Sequence, residues 1–143
     1  MLCRRNPRES ASLSAYAWKH WKVKPPASDA PVIAHRAFIV GVQTGMLRCA
    51  ADTHPEWTVA SHEDLCVDAA VRLPQLAGAV GLDWSPAADD FVQASNREGG
   101  DPWSTNRLTH LQPERWRDRL TPEDVRAINS VIDQFPEEAR VTV

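Results

Sequence analysis

The chain has 143 residues, 43% of them hydrophobic and 24% charged, so it is long enough for one domain with a real core and is not a disordered polar chain. Its formal net charge of −3 argues against a nucleic-acid partner, because such proteins present a basic face. Cys3, Cys49 and Cys66 form neither a disulfide framework nor a zinc motif, which favours a reducing, cytoplasmic setting. The longest apolar run, residues 38–42, is too short to span a bilayer.

The first part of the chain predicts two helices joined by a loop. Residues 10–21 contain no glycine or proline and carry spaced apolar side chains, which predicts a helix. The prolines of residues 22–31 predict a loop. Apolar residues at helical spacing then predict a long helix that ends before Pro55. Gly41 and Gly45 lie inside it, where each costs about 1 kcal/mol against alanine, so we expect close packing there. The expected apolar stripe consists of Val32, Ile39, Val42, Met46 and Cys49.

The middle of the chain predicts a strand and a helix. Residues 57–61 alternate in polarity and contain β-branched side chains, which predicts the chain's one good strand, and residues 62–65 predict a turn after it. Residues 68–80 predict a helix, and Pro74 delays or kinks it because an interior proline costs about 3 kcal/mol. Gly81 is a natural residue to follow the end of this helix.

Two helix starts with proline at the first helical position follow. Ser85 before Pro86 predicts a short helix. Residues 95–112 are polar and irregular, and a loop of this length is usually functional or disordered. Thr121, Pro122 and two acids predict the start of the last helix. We expect the buried stripe of this helix to be Val125, Ile128, Ile132 and Phe135.

Motifs that would define a chemistry outright are missing from the sequence. It contains no Gly-x-x-x-x-Gly-Lys-Ser/Thr phosphate loop and no His-Glu-x-x-His metal motif. Its five histidines are scattered, and a lone histidine is more often structural or solvated than catalytic. The sequence therefore predicts no metal centre.

The segment Arg5-Asn6-Pro7-Arg8 is a candidate anion site. A turn closed by Pro7 would bring an arginine and the serine hydroxyls of the next helix to a helix N-terminus, where backbone N–H groups and a guanidinium bind phosphate well. The alternative is a solvated basic end whose serines serve as helix caps. The spacing alone leaves both interpretations open.

Two other clusters also have two interpretations each. His62 and Glu63 could form an acid–base pair, or the carboxylate could satisfy backbone donors in a turn. The arginines between residues 107 and 119 could contact phosphate, or they could pair with neighbouring carboxylates on the surface.

Taken in order, these segments resemble the bacterial form of the sulfotransferases that use 3′-phosphoadenosine 5′-phosphosulfate (PAPS). The most specific piece is the tail with arginines, a tryptophan and LTPE, which reads RWRDRLTPE at 115–123. The resemblance covers nearly all of this chain and the second part of the family's domain. The matching stretches are RNPR at 5–8, HEDLC at 62–66, GLDW at 81–84, SNREG at 95–99, and TNR…QPERWRDRLTPEDVRAI between 105 and 128.

The resemblance implies a P-loop-like α/β fold, present here as its C-terminal, mostly helical portion with few parallel strands. It implies transfer of a sulfuryl group from PAPS to a hydroxyl or amine of an unknown acceptor. Arg5 takes the role of the family's RNP arginine at the 3′-phosphate, and Ser12 or Ser14 takes the serine role, one residue off the usual register. A basic residue in the tail of the family also reaches the 3′-phosphate. Arg107 takes this role here, and Arg97 is the second choice.

The family's phosphosulfate loop and usual catalytic base precede the RNP motif and have no counterpart in this sequence. The resemblance therefore implies that residues 1–143 form one partial domain, inactive alone, with Ser95 in a region near the adenine. We expect uncovered apolar faces, for instance along Ile39, Val42 and Met46, and association with a second copy or a missing N-terminal fragment. The alternative is a non-catalytic helical module for nucleotide binding or protein interaction. In both cases we expect no nucleic-acid or membrane partner.

Overall fold

The computed structural model describes residues 7–99 and 106–140, and every regular element in these ranges is helical. The α/β fold implied by the resemblance is therefore wrong, since the described residues contain no strand and no sheet. The chain forms two compact units, Met1–Pro55 with Leu120–Val143, and Glu56–Arg119. The α-helices are α1 (Pro7–Trp21), α2 (Val32–Thr53), α3 (His62–Val67), α4 (Ala69–Ala79), α5 (Pro86–Ser95) and α6 (Pro122–Ile132), and the 3-10 helices are Thr109–Asp118 and Glu137–Ala139.

The strand predicted at residues 57–61 is absent, and this segment is exposed chain without regular structure. Thr58, Val59 and Ala60 share no backbone hydrogen bond with any described residue, and Val59 is 75% exposed. A strand needs a neighbouring strand to complete its backbone hydrogen bonds. The described residues supply none, so the β-type sequence pattern remains unpaired.

The turn predicted at residues 62–65 is instead the beginning of α3. Ser61 caps this helix, because its Oγ accepts a hydrogen bond from the N–H of Asp64 at 3.2 Å. Two acids in the first turn suit the positive end of the helix dipole. Asp68 separates α3 from α4, and Pro74 is accommodated inside α4.

Predictions based on local capping signals are confirmed. Gly81 has a φ of +75° after α4, and the adjacent Leu82 N–H reaches the Ala77 carbonyl at 2.8 Å, which closes the helix end. Ser85 caps α5, and its Oγ accepts from the N–H of Ala88 at 3.3 Å. Helices α1 and α2 are also confirmed, and α1 begins at Pro7, three residues before the predicted start.

The core of the first unit forms where α2 approaches α6 and the chain after it. A Cβ atom built on Gly41 would lie 2.7 Å from Cε2 of Phe135, whose side chain is 1% exposed. One built on Gly45 would lie 2.6 Å from Cη2 of Trp21. The rings of Trp21 and Phe135 meet edge to face, with centroids 5.7 Å apart. Close packing at both glycines is therefore confirmed.

The buried face of α2 is rotated from the stripe predicted for it. Val32 is 68% exposed, whereas Phe38 and Val42 are buried at 4% and 0% exposure. Ile39 and Met46 pack against this core, so the expectation that the face along Ile39, Val42 and Met46 is uncovered is wrong. The face is covered because α6 and Phe135 lie against it.

The second unit has very little core. Its described buried residues are Cys66, Ala69 and Ala77, all with small side chains. Large apolar side chains remain exposed, among them Phe91 at 72% and Leu82 at 65%. Burial of apolar surface stabilises a protein by about 25 cal/mol per Å². The helices of the second unit bury little such surface and therefore gain little stability from it.

Replacing Gly41 by alanine should destabilise the protein although alanine favours helices. The added methyl group would collide with the buried Phe135 ring, and overpacking of this kind costs about 1–3 kcal/mol. Gly78→Ala is the matched control, because nothing lies within 4 Å of the added Cβ, and it should gain up to about 1 kcal/mol. Urea unfolding followed by circular dichroism measures both. Equal effects of the two variants would contradict the close approach at Gly41.

Replacing Thr121 by alanine should destabilise α6 by about 1 kcal/mol near neutral pH, the usual cost of losing an N-cap. The Thr121 backbone N–H and hydroxyl both donate to the Asp124 carboxylate, at 3.0 and 2.8 Å, and lower its pKa. This contribution is present above the ordinary aspartate pKa and is lost as pH falls through the lowered pKa. The variant should therefore raise the Asp124 pKa in an NMR titration, and its stability deficit should shrink in acid. A pH-independent deficit with an unchanged pKa would exclude this capping box.

Candidate functional site

A groove of about 610 Å³ lies in the second unit, along the 3-10 helix Thr109–Asp118. Its lining carries three guanidinium groups, three carboxylates, two side-chain amides and two leucines. Ligand sites of small molecules usually have volumes in this range. The lining residues are Glu98, Gly99, Asn106, Arg107, Leu108, Leu111, Gln112, Glu114, Arg115, Asp118 and Arg119.

Hydrogen bonds to the end of α5 hold the groove-forming segment in place. The Arg107 N–H donates to the Ser95 carbonyl at 3.1 Å. The Thr109 N–H and hydroxyl both donate to Oδ1 of Asn96, at 2.9 and 3.2 Å. Because Asn96 is also the residue that ends α5, one amide side chain links the two elements. The backbone is therefore held at Arg107 itself and two residues after it, at Thr109.

The lining side chains follow one face of a short helix. A 3-10 helix has three residues per turn, so Leu108, Leu111 and Glu114 form one row. Gln112, Arg115 and Asp118 form the adjacent row, and the two rows together make up this face. The Gln112 side chain donates to the Leu108 carbonyl at 2.8 Å, which stiffens the start of this face. The groove therefore has an apolar end, formed by Leu108 and Leu111, and a cationic end, formed by Arg115 and Arg119.

Some charged side chains around the groove already pair with a side chain of opposite charge, and others do not. Glu114 forms an ion pair with Arg117, whose guanidinium also lies 4.5 Å from the centre of the Trp116 ring. Neither Arg115 nor Arg119 forms an ion pair with a described carboxylate. Surface pairing therefore holds for Arg117, whereas Arg107, Arg115 and Arg119 line the groove.

The residues predicted from the sequence lie in different places. Arg107 lines the groove, and one of its guanidinium nitrogens donates to the adjacent Asn106 carbonyl at 2.6 Å. Ser12 is exposed on α1 in the first unit, and Arg5 lies outside the described residues. Arg97 is exposed and is absent from the groove lining.

The leucines and the glutamine of the groove were missed by the sequence analysis. Residues 95–112 were predicted to be an irregular loop because they are polar and contain Gly99, Gly100 and Pro102. A repeat of three residues, in Leu108 and Leu111 and again in Gln112 and Arg115, is the signal for this face, and it can be read only for a 3-10 helix.

Glu63 takes part in local hydrogen bonds at the start of α3, and its carboxylate also lies 3.8 Å from Nδ1 of His62 on this exposed surface. Glu63 has a lowered pKa because it accepts hydrogen bonds from its own backbone N–H and from the Ser61 hydroxyl, the latter at 3.0 Å. His62 Nε2 lies 3.4 Å from Sγ of Cys66. Burial raises the pKa of the Cys66 thiol, and the Glu63 charge adds to that rise, so this cysteine is a poor nucleophile.

No protein-family model, curated protein or solved structure matches this chain. Within residues 7–99 and 106–140, no group of three histidine, cysteine or carboxylate side chains could hold a metal ion. The same ranges contain no helix with the length and apolar character needed to cross a membrane. The groove lined by Arg107 brings charged and amide side chains together, and it is therefore the candidate functional site.

Proposed function

We propose that this chain binds a 3′-phosphorylated adenine nucleotide in the groove along the 3-10 helix, as the donor-binding part of a PAPS-dependent sulfotransferase. One observation carries the proposal. Arg107, selected from the sequence as a contact to the 3′-phosphate, lines a groove together with Arg115 and Arg119. A guanidinium group can bind a phosphate through two parallel hydrogen bonds, so a cluster of such groups suits a ligand with more than one phosphate.

The remaining lining supplies groups suited to a nucleoside. Asn106 and Gln112 carry side-chain amides that can pair with base edges, and Leu108 and Leu111 offer apolar surface to a ring. The three carboxylates in the lining balance the three arginines, so the whole groove does not attract anions at long range. Recognition would depend on the directions of the guanidinium groups, which favours a ligand with phosphates at defined positions.

The second candidate function is a non-catalytic helical module that binds nucleotides or proteins. It is favoured by the helical structure of the described residues and by the lack of a glycine-rich phosphate loop in the sequence. Sulfuryl transfer needs donors directed at the charge that develops on the transferred group. No segment of this sequence matches the family's loop that supplies them. Nucleotide binding is common to both candidates, and turnover separates them.

Adenosine 3′,5′-bisphosphate should bind at least about tenfold more tightly than AMP, since hydrogen bonds to a charged group contribute about 1.5–3 kcal/mol. Isothermal titration calorimetry on the full chain measures both affinities. Arg107→Ala should weaken the bisphosphate and leave AMP nearly unchanged, and Arg5→Ala tests the other contact implied by the resemblance. Arg126→Ala is the matched control, because that arginine pairs with Glu123 on α6, outside the groove. Equal affinities for the two nucleotides, or an Arg107 variant that is folded and binds like the parent, would refute the site.

Labelled PAPS incubated with this chain and a panel of phenols, sugars and amines should show no transfer above background. Loss of a single donor to the transferred group typically lowers the rate by about 10²–10³, and here the whole loop is without a counterpart. Turnover by the purified chain that is lost in Arg107→Ala would contradict this expectation and establish the chain as a complete catalyst.

A further inference from the structure

All three lysines of the protein lie within residues 19–24, although the chain contains thirteen arginines distributed along its length. They are Lys19, Lys22 and Lys24, and no acidic residue occurs between Glu9 and Asp29. In a chain with a net charge of −3, this segment is therefore locally cationic. The nucleotide groove does not include it, since it belongs to the other unit.

The end of α1 gathers these charges around one exposed aromatic ring. Helix α1 ends at Trp21, and Lys22 has a φ of +60°, a left-handed position that reverses the chain. The ammonium groups of Lys22 and Lys24 consequently lie 5.6 and 5.3 Å from the centre of the Trp18 ring. Both distances are within the range of cation–π attraction. Trp18 is itself 48% exposed.

The patch formed by Trp18, Lys19, Lys22 and Lys24 rests on a rigid support. Ala17 is 0% exposed and Val23 is 3% exposed, and both belong to the core of the first unit. The residues on either side of the exposed ring are thus anchored. The patch has a defined shape before any partner binds, which lowers the conformational entropy lost on binding.

The three ammonium groups lack counter-charges within the described part of the chain. None of the lysines forms an ion pair with a described carboxylate, whereas Arg117 and Arg126 pair with neighbouring glutamates. Two unpaired cations beside one indole repel each other. A surface with many negative charges would relieve that repulsion, so charge complementarity points to an anionic partner.

We propose that the patch of Trp18, Lys19, Lys22 and Lys24 binds peripherally to an anionic phospholipid surface. Lysine ammonium groups are hydrated point charges that respond to the diffuse field of such a surface, and indole rings favour the headgroup region. A nucleic-acid base stacking on Trp18 would have to compete with the two ammonium groups that already lie near its ring. The expectation of no membrane partner was based on the absence of a spanning segment, and a surface contact needs none.

Co-sedimentation with vesicles tests this proposal on the full chain. The protein should bind phosphatidylcholine vesicles that contain phosphatidylserine and should not bind phosphatidylcholine alone. Each lysine near such a surface contributes about fivefold to binding, so the variant Lys19→Gln, Lys22→Gln, Lys24→Gln should lose about a hundredfold. The matched control is Arg36→Gln, Arg72→Gln, Arg126→Gln, which removes the same charge from exposed helix positions and should retain most of the binding. Circular dichroism confirms that both triple variants are folded.

Insertion of the ring distinguishes a lipid surface from other polyanions. Vesicles with brominated acyl chains should quench part of the tryptophan fluorescence, and Trp18→Phe should abolish that quenching. Loss of vesicle binding in the arginine control, an absence of quenching, or tighter lysine-dependent binding to a single-stranded oligonucleotide or polyglutamate would each overturn the proposal.

Discussion

The bare backbone of α2 at Gly41 and Gly45 is the constraint on which the first unit depends. Aromatic rings of Phe135 and Trp21 occupy the space where side chains would otherwise stand, so α2 can approach its neighbours closely. Arg140 then holds the chain after α6 in place, donating to the Phe135 carbonyl at 2.7 Å. The contacts at the two glycines join residues that are far apart in sequence, and both the core and the lysine-bearing end of α1 depend on them.

The second unit is stabilised in a different way. Its buried side chains are small, and its groove is held by polar contacts such as those from Thr109 to Asn96. Exposed polar contacts contribute little net stability each, about 0.5–1.5 kcal/mol per hydrogen bond. A ligand that fills the groove would therefore add a large fraction of this unit's stability by mass action. Ligand binding in the groove and folding of the second unit should therefore be closely coupled.

The sequence predicted those features that depend on a few neighbouring residues. The caps at Ser85 and Thr121 and the chain reversal at Gly81 are local signals, because each is satisfied by backbone groups within a few positions. The two glycines of α2 also predicted a close approach, since a helix tolerates their cost only where space is limiting.

Features that depend on distant partners were not predicted correctly. Residues 57–61 have the composition of a strand, but strand formation requires a neighbouring strand, and the described residues offer none. The buried face of α2 was misplaced because Val32 lies at its exposed start, while Phe38 is selected by contact with the rings around Phe135. Among the groove residues, Arg107 was selected from a sequence motif, whereas Leu111 is recognisable only when the 3-10 helix is known.

The confinement of every lysine to residues 19–24 has a practical consequence for chemistry on this protein. Apart from the α-amino group, all primary amines of the chain lie on one patch beside Trp18. Amine-directed reagents would therefore modify only this patch and the α-amino group, and no lysine is among the residues that line the groove. Acylation of the same amines would remove the whole patch charge at once, so the patch is open to control by a single class of covalent modification.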